Sequence, residues 1–154
     1  MQYDVGEADF RKAGFERLAE ALILYNSGFF AGSVYLGGRA VEGMLRAVTW
    51  KHDHELRTGK QSLETGHDLR RLLSRVNSLG VVKDKRQRDS LAENIRQIGR
   101  LWFNNMRFVP TARMEKSWWK AGEIGKRQSL KRAVSDFNEV CSSVVQTCEA
   151  LCKE

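Results

Sequence analysis

The amino-acid sequence predicts an all-α protein: an antiparallel bundle of about five helices forming one domain over residues 1–154. Three observations carry this expectation. Apolar residues recur at steps of three and four along most of the chain, which is the spacing of a helix face. A single proline, Pro110, is present to interrupt them. The 154 residues, 42% hydrophobic and 29% charged, suit a globular chain long enough to bury a core of its own.

The first helix is expected over residues 8–26, where Phe15, Leu18, Leu22 and Tyr25 share a face with Ala19 alongside. Asn26, Ser27 and Gly28 then end it, because Asn and Gly tolerate the left-handed turn that follows a helix. The second is expected over residues 29–53. Val34, Gly38, Val41, Leu45 and Val48 form one stripe, and Ser33, Gly37, Ala40, Met44 and Ala47 form a small-residue stripe beside it. Glycine inside a helix costs about 1 kcal/mol against alanine, so Gly37 and Gly38 imply the close approach of another backbone. Tyr35, Arg39, Glu42 and Arg46 occupy the remaining face and read as a solvated, salt-bridged surface.

Residues 54–66 are polar and read as a loop. A short third helix follows over 67–79, with Thr65 as N-cap, His67 in the first turn, Leu69, Leu72, Leu73 and Val76 as the apolar face, and Gly80 after its end. The fourth is expected from Asp84 to Phe108, with Leu91, Ile95, Ile98, Trp102 and Met106 toward the core. Pro110 biases Val109 away from helical geometry and closes it. Residues 109–126 read as a long connection carrying Trp118 and Trp119 among cations, either a lid packed over the bundle or a stacking platform for bases. The fifth helix, over 127–152, places Leu130, Val134, Phe137, Cys141, Val144, Cys148 and Leu151 on one seam.

The formal charge of +7 favours an anionic partner such as RNA or a nucleotide. No apolar run is long enough to cross a bilayer and no signal segment opens the chain, so a cytoplasmic protein without a membrane partner is expected. Cys141, Cys148 and Cys152 fall on the apolar seam of one helix and read as reduced, buried thiols. His52, Asp53 and His54 invite a metal ion, yet no further ligand follows at a fitting spacing. A Gly-rich phosphate loop, a paired-carboxylate site and a zinc-protease helix are all missing from the sequence, and no metal or cofactor is expected.

The most informative stretch is Arg100–Pro110, RLWFNNMRFVP. Continued as a helix, it places Arg96, Arg100, Asn104 and Arg107 on one face at steps of four, four and three, with Asn105 slightly around from them. Guanidinium groups bind phosphate oxygens through paired donors, and an asparagine amide can hold a base edge or a sugar oxygen. The stripe is therefore a candidate nucleic-acid or phosphate site. The competing account is that these side chains tie the helix to the 109–126 segment or to carboxylates nearby.

Three stretches resemble the HEPN domain family of small all-α bundles. Phe15–Ala47 is similar to that family's first helical hairpin, Gly66–Leu73 to its short following helix, and RLWFNNMRF to the helix bearing its polar motif. The resemblance implies a homodimer, a setting in prokaryotic toxin–antitoxin or defence systems, and RNA as a partner. In the ribonucleases of the family the motif is an arginine followed after four to six residues by a histidine, and cleavage is metal-independent. Arg100 matches the arginine, whereas Asn105, Met106 and Arg107 stand where the histidine would fall. Asparagine cannot accept a proton as imidazole does. The departure points to the family's non-catalytic members, with Arg96, Arg100, Asn104, Asn105 and Arg107 binding RNA or a nucleotide. A ribonuclease using Arg100 and Asn105 is the alternative. A third reading is a protein-interaction subunit with a partner encoded nearby. The homodimer is expected to form through the small-residue stripe or the arginine face.

Overall fold

The computed structural model describes residues 1, 3–58 and 66–154. Among them the chain is helical throughout, with no strand. Helix α1 spans Glu7–Asn26, α2 Phe30–His52, α3 His54–Arg57, α4 Leu69–Ser78 and α5 Lys85–Leu101. A 3₁₀ turn over Asn104–Phe108 follows, then α6 over Thr111–Lys120 and α7 over Leu130–Lys153. The five expected helices are present, with α3 and α6 added in stretches expected to be loop.

Helix α2 is the central element. Both of its expected stripes are buried, including Ser33, Gly37, Ala40, Met44 and Ala47. The small-residue stripe is thus taken up inside the chain and offers no surface to a second copy. Gly28, at φ +80, makes the turn between α1 and α2 possible. The two helices then cross so closely that a Cβ on Gly43 would lie 3.2 Å from the Phe10 carbonyl oxygen. Gly37 and Gly38 have a different purpose from the expected backbone approach, since side chains fill the space above them. A Cβ on Gly37 would meet Asn138 Oδ1 at 3.1 Å and Phe137 at 3.2 Å, while one on Gly38 would lie 2.1 Å from Trp102 Cδ1.

The close α1–α2 crossing also corrects the expected face of α1. Its buried residues are Gly14 and Ala21, while Phe15 and Leu22 are 42% and 44% exposed. Small residues let the helices approach; of the expected face Leu18 and Tyr25 still pack against the core, whereas Phe15 and Leu22 are turned to the flank. A buried relay secures the arrangement: Asn138 Nδ2 donates to Ser33 Oγ at 2.9 Å, and Ser33 Oγ donates to the Ala21 carbonyl at 2.7 Å. It joins α7, α2 and α1 through groups that would be costly to bury unpaired.

At the far end of α2, His52 Nε2 donates to the Leu151 carbonyl at 2.8 Å. Asp53 caps α3 by accepting from Leu56 N–H and takes a second bond from Arg75 Nε at 2.8 Å. Both groups of the His52–Asp53–His54 trio that lie closest to the core therefore have protein partners. Asp68, not Thr65, caps α4, accepting from the Arg70 and Arg71 amides; Thr65 lies outside the described residues. The seam of α7 is buried as expected, and burial raises all three of its thiols above the ordinary cysteine range, Cys152 to about 11. Such thiols stay protonated and unreactive.

The largest departure from expectation is in the fourth helix, which ends at Leu101 instead of Phe108. Trp102 and Phe103 are both extended, at φ −105, ψ 129 and φ −136, ψ 146. Trp102 N–H still bonds the Ile98 carbonyl at 2.8 Å, but its side chain turns onto Gly38 and its indole Nε1 donates to the Tyr35 carbonyl at 3.0 Å. Tyr35 lies in α2, where its carbonyl receives the indole as an additional donor. Burial of the indole and this bond outweigh the few helical bonds that continuing α5 would add.

Gly38→Ala is expected to destabilise the fold by about 1–3 kcal/mol or more, because the indole and α2 backbone leave no room for a methyl group. Gly99→Ala, where a Cβ would meet nothing within 4 Å, is expected to be neutral or to stabilise α5 by up to about 1 kcal/mol. Urea melts of the two variants check this; equal effects would show that the Gly38 contact is loose.

Candidate nucleic-acid interface

The break at Trp102 divides the expected arginine–asparagine stripe. Arg96 stays on α5, where its Nε and Nη2 donate to Glu93 at 2.8 and 2.6 Å. That fork, with Gln97 assisting, holds the Glu93 carboxyl at about 2, below the usual carboxylate range. Arg96 faces a shallow hollow with Arg70, Leu73 and Ile95. Asn104 turns to another side, toward His67, Asp68 and Arg70, and its Oδ1 is buried without a partner among the described residues. Arg107 is exposed, with its guanidinium 4.8 Å above the Phe108 ring.

Only Arg100 and Asn105 of the five remain in one cleft. It has a volume of about 520 Å³ and lies between the 3₁₀ turn and α6. Met106, Met114 and Trp118 form its buried base. Phe103 and Phe108, 58% and 75% exposed, stand at its edges. Arg113 and Ser117, one turn apart on α6, complete the polar lining together with Glu123. Arg100 Nη2 donates to Glu123 at 3.3 Å. Arg113 makes no ion pair among the described residues, so it is the uncompensated cation of the lining.

Helix α6 is what makes this a cleft. Pro110, at φ −63, precedes its first turn, and Thr111 Oγ1 accepts from the Ala31 amide at 3.2 Å, docking its start against α2. Met114 and Trp118 anchor its inner face, with the Trp118 ring 6.4 Å from Phe137. Trp118 is thus a core residue, while Trp119 is 49% exposed. The sequence reading missed Arg113 and Ser117 because it took this stretch as loop. Pro110 followed by Met114 and Trp118 at an interval of four was the available signal.

A second polar cluster was also unexpected. Glu42 is 3% exposed, not solvated. Its carboxylate accepts from Arg39 Nη1 at 2.6 Å and Arg46 Nε at 3.0 Å, and lies 3.1 Å from His67 Nδ1. Arg39 Nη1 is itself 3.0 Å from that ring nitrogen. His67 Nδ1 accepts from Arg39 in one tautomer and donates to Glu42 in the other, which keeps Nε2 as an acceptor. His67 and Asn104 line a cleft of about 420 Å³, and Phe103 borders both this cleft and the larger one. Among the described residues no three His, Cys, Asp or Glu side chains converge as a metal site.

Comparison with protein-family models, curated proteins and solved structures finds no match to this chain. The functional reading therefore rests on the residues themselves.

Glu42→Ala is expected to cost about 1–3 kcal/mol, because it removes the buried carboxylate that Arg39 and Arg46 share. A loss under about 1 kcal/mol in chemical denaturation would mean that solvent replaces the carboxylate.

Proposed function

We propose that this chain is a HEPN-like, non-catalytic module that binds RNA or a nucleotide in the cleft between the 3₁₀ turn and α6, in the defence or toxin–antitoxin setting that the resemblance implies. One observation supports this above the others: Arg100, Asn105 and Arg113 share a cleft edged by exposed Phe103 and Phe108. Guanidinium groups suit phosphate oxygens, and the exposed rings suit unpaired bases, for which aromatic stacking contributes about 1–3 kcal/mol per base. Asn105 adds an amide that can pair with a base edge. Lys116 and Lys120 follow Arg113 at helical spacing on α6 and extend the positive strip beside the cleft. Arg96 contributes less to this reading than the stripe suggested, since Glu93 already holds it.

His67 favours a second reading, a metal-independent ribonuclease. A carboxylate-oriented imidazole beside Asn104 would supply the proton acceptor that positions 105–107 lack. Phe103 would then be the ridge over which a strand passes from one cleft to the other.

A titration of labelled single-stranded RNA against salt tests the binding reading. Arg113→Ala and Arg100→Ala are each expected to weaken binding and to reduce the log–log salt slope by about 0.7. Unchanged affinity in both variants would place the site elsewhere. Incubating the same RNA in chelator separates the second reading: cleavage lost in His67→Ala supports an enzyme, and intact RNA supports a binding module. A chain that binds no RNA but forms a stable complex with a protein encoded nearby would instead be an interaction subunit.

A further inference from the structure

Glu123 is the one acidic side chain lining the proposed binding cleft, and its position is built into the backbone. Helix α6 ends at Lys120, and Gly122 adopts the left-handed conformation at φ +73. Gly122 N–H bonds the Trp119 carbonyl at 3.1 Å, and Glu123 N–H reaches back to the Trp118 carbonyl at 2.9 Å. This glycine-dependent helix ending fixes the Cα of Glu123 directly after the buried Trp118 and aims its side chain across the cleft toward α5. The carboxylate meets Arg100 there, as a single contact of 3.3 Å.

That pair differs from the other arginine–carboxylate pair on α5. Arg96 and Glu93 form a fork of two short bonds within one helix, whereas Arg100 gives Glu123 one long bond between two elements. A guanidinium with donors to spare can take a phosphate in the paired geometry that Glu123 does not provide. The Arg100 side chain is 43% exposed, so a ligand can reach it.

We infer that Glu123 is an acidic latch that sets the specificity of the cleft. It occupies Arg100 until the phosphate of a single-stranded nucleic acid or nucleotide displaces it, and its negative charge opposes ligands whose phosphate does not land on that guanidinium. The latch rests on the reading of this cleft as a nucleotide site. It makes the site selective for a correctly placed phosphate instead of for anions in general, and it leaves recognition of the uncharged base to Phe103, Phe108 and Asn105.

The test compares wild type with Glu123→Gln, which keeps the shape and removes the charge. The probes are a labelled single-stranded RNA, adenosine monophosphate and adenosine. Glu123→Gln is expected to bind the RNA and the monophosphate more tightly by up to about fivefold, the range expected when one exposed competing charge is removed. Adenosine binding is expected not to change. In an Arg100→Ala background the same substitution should give a clearly smaller gain, because only the repulsion by the carboxylate is then relieved and no ion pair has to be broken. A melting curve for each variant confirms that it is folded. The inference is overturned if Glu123→Gln leaves affinity for the monophosphate unchanged or weaker, or if the gain is undiminished without Arg100. It is also overturned if adenosine gains equally. Loss of affinity in Arg113→Ala with no effect of Glu123→Gln would retain the cleft and reject the latch. Absence of binding by every variant would reject both.

Discussion

The indole of Trp102 lies against the bare Cα of Gly38, and much of the molecule's surface depends on that contact. It requires glycine in the middle of the central helix, at a cost in helix propensity that burial of a large aromatic group offsets. It also stops α5. Once Trp102 turns inward and donates to the Tyr35 carbonyl, Phe103 is extended and the next residues turn in a 3₁₀ conformation instead of continuing the helix. That break carries Asn104 and Asn105 to different sides, brings Phe103 and Phe108 to the surface, and leads through Pro110 into α6. A helix running on to Phe108 would have carried a polar stripe. The break instead creates two clefts that meet at Phe103.

Electrostatics then decides what those clefts can do. The net charge of +7 is distributed unevenly among partners. Arg96 is held by Glu93, Arg100 by Glu123, and Arg39 and Arg46 by the buried Glu42. The exposed pairs among these contribute little to stability, but all of them lower the effective charge that an anion meets. Attraction for phosphate therefore falls first on cations outside these pairs, above all Arg113 in the cleft. The buried cluster has a different part. Glu42 lies beside His67 in the segment leading into α4, and a buried carboxylate that accepts from both Arg39 and Arg46 holds that region more firmly than any one exposed pair.

How much of this could be read from the sequence depended on how far each signal extended. Helices α2 and α7 repeat their apolar residues over many turns, so their limits and buried faces were legible. Helix α1 was found, but its face was only half right: Leu18 and Tyr25 pack against the core, while the fully buried residues are Gly14 and Ala21, and small residues give a weak hydrophobic signal. Helix α6 was lost among charged residues that looked like a loop, since its core contribution is only Met114 and Trp118. Burial of Glu42 could not be inferred locally, because its partner His67 lies twenty-five residues further on. The end of α5 was equally hidden: nothing within RLWFNN forces a break, and the cause is a glycine on another helix. The candidate site was therefore half legible. Arg100 and Asn105 were identified and share a cleft, while Arg113 and Glu123 required the tertiary structure.

The central claim is that ligand meets a cleft made by that break and not a continuous stripe along α5. Titrating the isotope-labelled protein with single-stranded RNA and following its amide and side-chain resonances tests this most directly. The account predicts that Asn105, Phe103, Arg113 and the Glu123 amide shift together while the Arg96 and Glu93 resonances stay in place. Shifts centred on Arg96 and the outer turns of α5, with Arg113 and Glu123 unmoved, would contradict it.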